Sequence, residues 1–147
     1  MHLLLGAFPK IIALLHGNED ALKRECAFTL ANPWAPNVGI SPEVADLLIQ
    51  DGVLKELVDL LNLSVDLSIV KVAIQGLQEA IKRGQQMMKD EANKQMAEGQ
   101  EEPSVSNRIA DVIKEHGAID KLQEVLSSTE EELYFKANGL KNILAFL

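Results

Sequence analysis

Three stretches of this chain start with a glycine, run directly into an apolar helical pattern, and are followed by a second such pattern about eleven residues on. They read Gly6-Ala7-Phe8-Pro9-Lys10-Ile11-Ile12-Ala13-Leu14-Leu15, Gly52-Val53-Leu54-Lys55-Glu56-Leu57-Val58-Asp59-Leu60-Leu61 and Gly117-Ala118-Ile119-Asp120-Lys121-Leu122-Gln123-Glu124-Val125-Leu126. The glycines are 46 and then 65 residues apart, and each precedes an alanine of the second helix (Ala27, Ala73, Ala137) by 21, 21 and 20 residues. A unit of that length, made only of short helices, cannot cover its own apolar face; a stacked neighbour must cover it. The chain is thereby restricted to a row of stacked helical units.

Composition agrees. Hydrophobic residues make up 47% of the 147 residues but aromatics only 4%, so the core must be built from Leu, Ile, Val and Ala. No sustained period-2 alternation and no Asn-Gly hairpin turn are present, which excludes a β fold. A period of roughly 40–47 residues with two or three helices per unit is the mark of an armadillo or HEAT solenoid, a class that binds extended partners along a surface. The one cysteine, Cys26, rules out an internal disulfide framework and paired-cysteine zinc sites, and inside an apolar helix it reads as a small core residue. No run reaches the ~18 apolar residues of a membrane span. Met1–Leu5 has neither a cationic region nor a cleavage site, so no signal peptide is expected and the reading is a soluble protein in a reducing compartment. The net charge of −8 disfavours nucleic acid as a partner and is compatible with basic ones.

Along the chain, Leu3–Leu15 reads as the end of one helix, a glycine break, and a second helix with Pro9 in its first turn. Glu19 or Asp20 opens a helix through Ala31. Pro33 and Pro36 bracket Trp34 in a break. Ser41-Pro42-Glu43 is a helix start with Ser41 as N-cap, followed by helices over Val44–Gln50, Val53–Leu61 and Leu67–Arg83. Gln85–Glu98 has high helix propensity and either extends the preceding helix or frays, and Gly99–Ser104 reads as a mobile linker. Residues 84–105 are thus expected to form a surface insertion between units, on whose face Met87, Met88 and Met96 either pack or meet a partner. Asn107–Glu115, Ala118–Leu126 and Glu130–Phe146 complete the last unit, with Thr129, or Ser127 with Glu130, capping the final helix. One domain over 1–147 results, with repeats at about 1–37, 38–83 and 106–147. Neither end has a polar capping repeat, so a segment of a longer solenoid is expected.

No catalytic constellation is present. His2 lies at the terminus, and His16 and His116 stand at His-Gly helix stops, where a cation complements the helix dipole. There is no His-Glu-x-x-His, no phosphate loop and no Gly-x-Ser-x-Gly, so no enzyme, metal or cofactor is expected. The informative stretch is Ala21–Asn32. At ~100° per residue, Leu22, Cys26 and Leu30 form one stripe, while Glu25, Phe28 and Asn32 gather on nearly the opposite face, with Arg24 beside them. Asn32 offers both a donor and an acceptor to a peptide backbone, Phe28 walls a lysine stem, and Glu25 attracts its ammonium. The bland alternative is that Phe28 packs on the neighbouring unit.

Lys23-Arg24-Glu25-Cys26-Ala27-Phe28-Thr29-Leu30-Ala31-Asn32 resembles the third helix of an importin-α armadillo repeat, whose signature is Lys-Glu-Ala-Ala-Trp-x-x-x-Asn. The resemblance continues through Gln50–Leu61, Ile113–Gln123 and Glu132–Ala137, in the order of that family's C-terminal repeats. It implies an all-α, right-handed armadillo α-solenoid of about two and a half to three repeats. It further implies a nuclear-transport adaptor of the cytoplasm and nucleus that binds basic localisation-signal peptides. Phe28 and Asn32 would match the family's Trp and Asn, and Glu25 the acid before them, in the minor signal-binding groove. Trp34 would be a surrogate for the missing indole and Arg24 a neighbour of the peptide. Lys71, Ile74 and Gln78 would be the matching middle positions, and Phe135, Asn138 and Asn142 the last. The family's C-terminal repeats also contact an export receptor and a nucleoporin. Importin-β binds a basic N-terminal segment that this chain does not contain. The rival expectations are an armadillo scaffold whose groove has drifted to a non-basic partner and, more remotely, a regulatory subunit of an enzyme.

Overall fold

The computed structural model describes residues 6–147; His2 and the helix end expected before Gly6 lie outside the described residues. Among the described residues the chain forms eight α-helices and no strand. They are α1 (Phe8–Leu15), α2 (Asp20–Ala31), α3 (Pro42–Gln50), α4 (Val53–Asp59), α5 (Leu67–Ala97), α6 (Arg108–Glu115), α7 (Ala118–Val125) and α8 (Glu131–Ala145), with a 3-10 turn at Asn32–Trp34 after α2.

The helices stack in three units: α1–α2, then α3–α4–α5, then α6–α7–α8. The last helices of the units lie side by side, α5 packing against α2 on one flank and α8 on the other. One largely aliphatic core runs through all three, with Phe8, Leu30, Leu54, Leu57, Ile74, Leu77, Ile113, Leu122 and Leu140 essentially buried. Ala27, Ala73 and Ala137, the alanines of the repeat, are all 0% exposed. A larger side chain there would hold the stacked helices apart.

The repeated glycine has a local cause. Gly52 and Gly117 sit between α3 and α4, and between α6 and α7, at φ +85° and +83°. That left-handed conformation turns the chain sharply from one helix into the next, and glycine reaches it without the steric penalty of a Cβ. The helix starts follow equally local rules. Ser41 Oγ accepts from the Val44 N–H at 3.2 Å with Pro42 in the first turn, and Asp66 accepts from the Ser68 N–H at 2.8 Å at the start of α5.

Two expectations are corrected, and one alternative is decided. Gln85–Glu98 extends the preceding helix and does not fray: α5 continues unbroken for 31 residues, through Gly84. Gly84 is buried, and the absence of a side chain there admits Asn107, whose Oδ1 would lie 2.1 Å from an added Cβ. Gly99–Ser104 folds back along α5 instead of looping freely, because Gln95 exchanges two hydrogen bonds with the Ser104 backbone, at 2.8 Å and 3.3 Å. The final helix is capped by Glu130, whose carboxylate accepts from the Leu133 N–H at 2.7 Å, and not by Thr129 or Ser127. An acid serves here because the carboxylate satisfies an orphan donor and meets the positive end of the helix dipole together.

Candidate functional site

Because α2, α5 and α8 lie side by side, their outward stripes share one face, and that face is hollowed. A cavity of about 420 Å³ is lined by Phe28 of α2, by Asn32 and Pro36 just after it, by Lys71, Val72, Gln75 and Glu79 of α5, and by Glu132 and Lys136 of α8. Phe28 is 44% exposed at this surface and does not disappear into the neighbouring unit. The two amides, Asn32 at the C-terminal cap of α2 and Gln75 on the adjacent α5, each carry a donor and an acceptor.

The other sequence candidates are placed differently. Glu25 is exposed one turn before Phe28, outside the cavity lining. Arg24 is occupied elsewhere: its Nε donates to Ser68 Oγ at 3.1 Å and its guanidinium lies 3.8 Å from the Asp66 carboxylate, tying α2 to the start of α5. Trp34 is 1% exposed, so its ring is core and cannot stand in for an exposed indole. The 3-10 turn carries the chain inward at Pro33 and Trp34 before Pro36 returns to the surface. Leu22, assigned to the core stripe, is at the surface at 36%, and Ala27 takes its place beside Cys26 and Leu30.

In the middle unit, the positions matching Glu25, Phe28 and Asn32 under the resemblance are Lys71, Ile74 and Gln78. Ile74 is fully buried and Gln78 half-buried, since α5 is packed on two flanks and the stripe Lys71, Val72, Gln75, Glu79 faces the cavity between them. In the last unit Phe135, Asn138 and Asn142 lie outside the cavity, and Glu132 and Lys136 line it. Phe135 instead meets Tyr134 edge to face, ring centres 5.9 Å apart. The i, i+3, i+7 pattern of Val72, Gln75 and Glu79 was the signal available for this register.

The electrostatics of the cavity depend on Lys71. Its ammonium donates to Glu132 at 3.1 Å and lies 3.3 Å from Glu130, and the hydrogen bond to Glu132 holds it above its ordinary pKa. The cation thus stays charged and is balanced in place by two carboxylates. Glu79 accepts from Gln75 Nε2 at 2.8 Å through one oxygen, while its other oxygen is buried without a partner. Among the described residues no cluster of His, Cys, Asp and Glu is arranged to hold a metal, and no helix is long and apolar enough to cross a membrane.

Comparison with known proteins bears on the repeat. The family model for the armadillo/beta-catenin-like repeat matches residues 41–79, which comprise α3, α4 and the first part of α5. No curated protein matches. Solved structures similar to the chain include a designed armadillo repeat protein, at 20% identity and TM-score 0.45, covering 95% of this chain and 65% of that one. Another is a designed armadillo repeat protein in complex with the peptide (KR)4, at 18% and 0.46, covering 95% and 64%. A third is an engineered protein solved as a structural-genomics target, at 21% and 0.47, covering 97% and 65%. The chain thus spans just under two thirds of the length of each. Its middle unit is similar to an armadillo repeat, and the whole is an all-α stack of three helical units.

Proposed function

We propose that this chain is a protein-interaction module that holds an extended peptide along α2, α5 and α8, with Asn32 and Gln75 pairing to the peptide backbone. The observation that carries this reading is the pair of exposed amides, one at the C-terminal cap of α2 and one on the adjacent α5, above a shared cavity walled by Phe28. An extended segment has unpaired backbone donors and acceptors at regular intervals, and fixed amides on successive helices meet them in series. The partner's basic side chains meet Glu79 and Glu132 within the cavity and Glu25 at its edge, while Phe28 covers a lysine stem.

The specific form supported by the resemblance of residues 23–32 is a nuclear-transport adaptor for basic localisation-signal peptides. The export receptor and nucleoporin are partners of that form, which works between cytoplasm and nucleus. A second reading, a scaffold for a non-basic partner, is favoured by one observation: Lys71 and Lys136 balance Glu79 and Glu132 within the lining.

Fluorescence anisotropy of a labelled lysine-rich peptide separates the two. The basic-peptide reading expects affinity to fall steeply as salt is raised, and Asn32→Ala to weaken binding by about fivefold, the worth of one hydrogen bond of about 1 kcal/mol. Binding that ignores both salt and Asn32→Ala would remove it. Salt-insensitive binding of an uncharged peptide that Asn32→Ala still weakens would favour the scaffold reading.

A further inference from the structure

The side of α5 turned away from the groove carries a second opening. At ~100° per residue, Gly84, Met87, Met88 and Glu91 lie roughly 150° around the helix from Lys71, Val72, Gln75 and Glu79. They line a cavity of about 320 Å³ between α5, α3, the segment 104–106 and the start of α6. Its outer wall exists because α5 runs on to Ala97 and the chain returns beside it, held by the two Gln95–Ser104 hydrogen bonds.

The floor is apolar: Ala45, Gly84 and Ile109 are all buried. The walls include Ile49, Met87 and Met88, each half-buried, so part of their apolar surface is left uncovered. Met96, farther along the helix, is 57% exposed and lies outside the lining. The rim is charged. Asp46 of α3 and Arg108 of α6 form an ion pair there, which leaves Glu91 as the rim charge without an ionic partner. Glu91 accepts only from Gln95 Nε2, at 3.2 Å. Around it, residues 89–102 hold five acids against two lysines, and none of these seven enters an ion pair among the described residues.

These features select a visitor. Methionine is unbranched and polarisable, so it repacks around an inserted group, and its sulfur makes favourable contacts with aromatic rings. An apolar pocket closed at its floor and ringed by polar groups is the setting in which a single aromatic anchor carries most of an interface. The unpaired acids of the rim and of residues 89–102 attract positive charge and repel an acidic segment. We propose that this cavity docks a basic segment of a partner protein through one aromatic side chain. The ring sits among Met87, Met88 and Ile49, and flanking lysines or arginines meet Glu91 and the acids beyond it. This docking surface is independent of the groove and lies on the opposite side of the same helix, so one chain has room for two segments at once.

Methyl NMR tests it on the intact chain. The four methionines give one ¹³C-methyl signal each in a selectively labelled sample, and Met87→Leu and Met88→Leu assign the two that matter. The probes are blocked heptapeptides with lysines flanking a central phenylalanine. Matched peptides carry leucine or serine at the centre, or glutamates at the flanks. The proposal expects the phenylalanine ring current to move the Met87 and Met88 methyls and to move Met96 less. Serine should weaken binding about tenfold or more, the loss of one buried aromatic, and leucine about twofold or more. Glu91→Lys, an exposed change that leaves the core untouched, should weaken it about threefold at low salt and much less at high salt. A leucine peptide or a glutamate-flanked peptide that binds as tightly as the first would overturn the proposal. The side-chain amides of Asn32 and Gln75 report the groove separately. Shifts there with stationary Met87 and Met88 methyls would overturn this docking site and leave the groove standing. Methyl shifts with stationary amides would support the docking site and count against the groove, and no shifts anywhere would overturn both.

Discussion

Gly84→Ala isolates the close approach of α5 to Asn107 at the start of α6. An added Cβ would lie 2.1 Å from Asn107 Oδ1, 2.9 Å from its Cγ and 3.0 Å from Ile109 Cβ, so Asn107 must move. Asn107 is buried and joins two elements: its Oδ1 accepts from the Ala110 N–H at 3.0 Å as the N-cap of α6, and its Nδ2 donates to the Ile81 carbonyl of α5 at 3.0 Å. Losing the cap costs about 1 kcal/mol. Losing the buried bond to Ile81 costs about 1 kcal/mol more, and crowding Ile109 about another 1. Against these stands a gain of about 1 kcal/mol from replacing glycine inside a helix. The expected net is a destabilisation of about 2 kcal/mol, read in urea unfolding as a midpoint lowered by about 1 M at unchanged slope. The decisive comparison is a double-mutant cycle. With Asn107→Ala in place the clash is mostly gone, and Gly84→Ala should then cost no more than about 0.5 kcal/mol. Equal costs in both backgrounds, or a stabilising single Gly84→Ala, would refute the claim that Gly84 exists to admit Asn107.

Other consequences follow from individual residues. Gly117→Ala should destabilise by about 1–2 kcal/mol in the same assay, because φ is +83° there. Gly139→Ala should stabilise by about 0.5–1 kcal/mol, since it lies within α8 and its Cβ would approach nothing nearer than Gln78 Nε2 at 3.9 Å. Burial raises the Asp59 pKa, but hydrogen bonds from Lys121 and Lys55 lower it more, to a net value below its ordinary 3.8. A depressed folded pKa means stability that is complete above the unfolded-chain value and lost as pH falls toward and through the folded one. The urea midpoint should therefore drop below about pH 4. Lys121→Met, which removes one of the two partners, should flatten that drop; an unchanged pH profile would count against the pair. Cys26 is 4% exposed, and burial, reinforced by Glu25, pushes its thiol above the ordinary value. It should resist Ellman's reagent in the native protein and react promptly in denaturant; rapid native labelling would contradict its placement.

The fold was legible where a local rule determines it. The glycine that turns one helix into the next needs a left-handed residue, so Gly52 and Gly117 marked the units directly. Ser41-Pro42 marked the start of α3 by cap chemistry. What could not be read was what depends on the neighbouring helix. The helix propensity of Gln85–Glu98 allowed the continuous helix, but the close approach of Asn107 to Gly84 depends on α6 and could not be read. The groove was half legible. Phe28 and Asn32 sit where the helical wheel of α2 put them. The open stripe of α5 is rotated because α2 and α8 cover both flanks, which buries Ile74 and exposes Gln75. Trp34 was unreadable for the same reason, since proline-bracketed sequence does not say which way a short turn sends its ring.

The central claim is that partners lie on the face shared by α2, α5 and α8. Site-directed photocrosslinking tests it most directly, with a benzophenone amino acid at Gln75 in the groove and, separately, at Leu47, exposed on α3. A lysine-rich peptide should crosslink at Gln75, compete away with unlabelled peptide, and leave Leu47 unlabelled. Competable crosslinking at Leu47 with none at Gln75 would place the binding surface elsewhere and contradict the account.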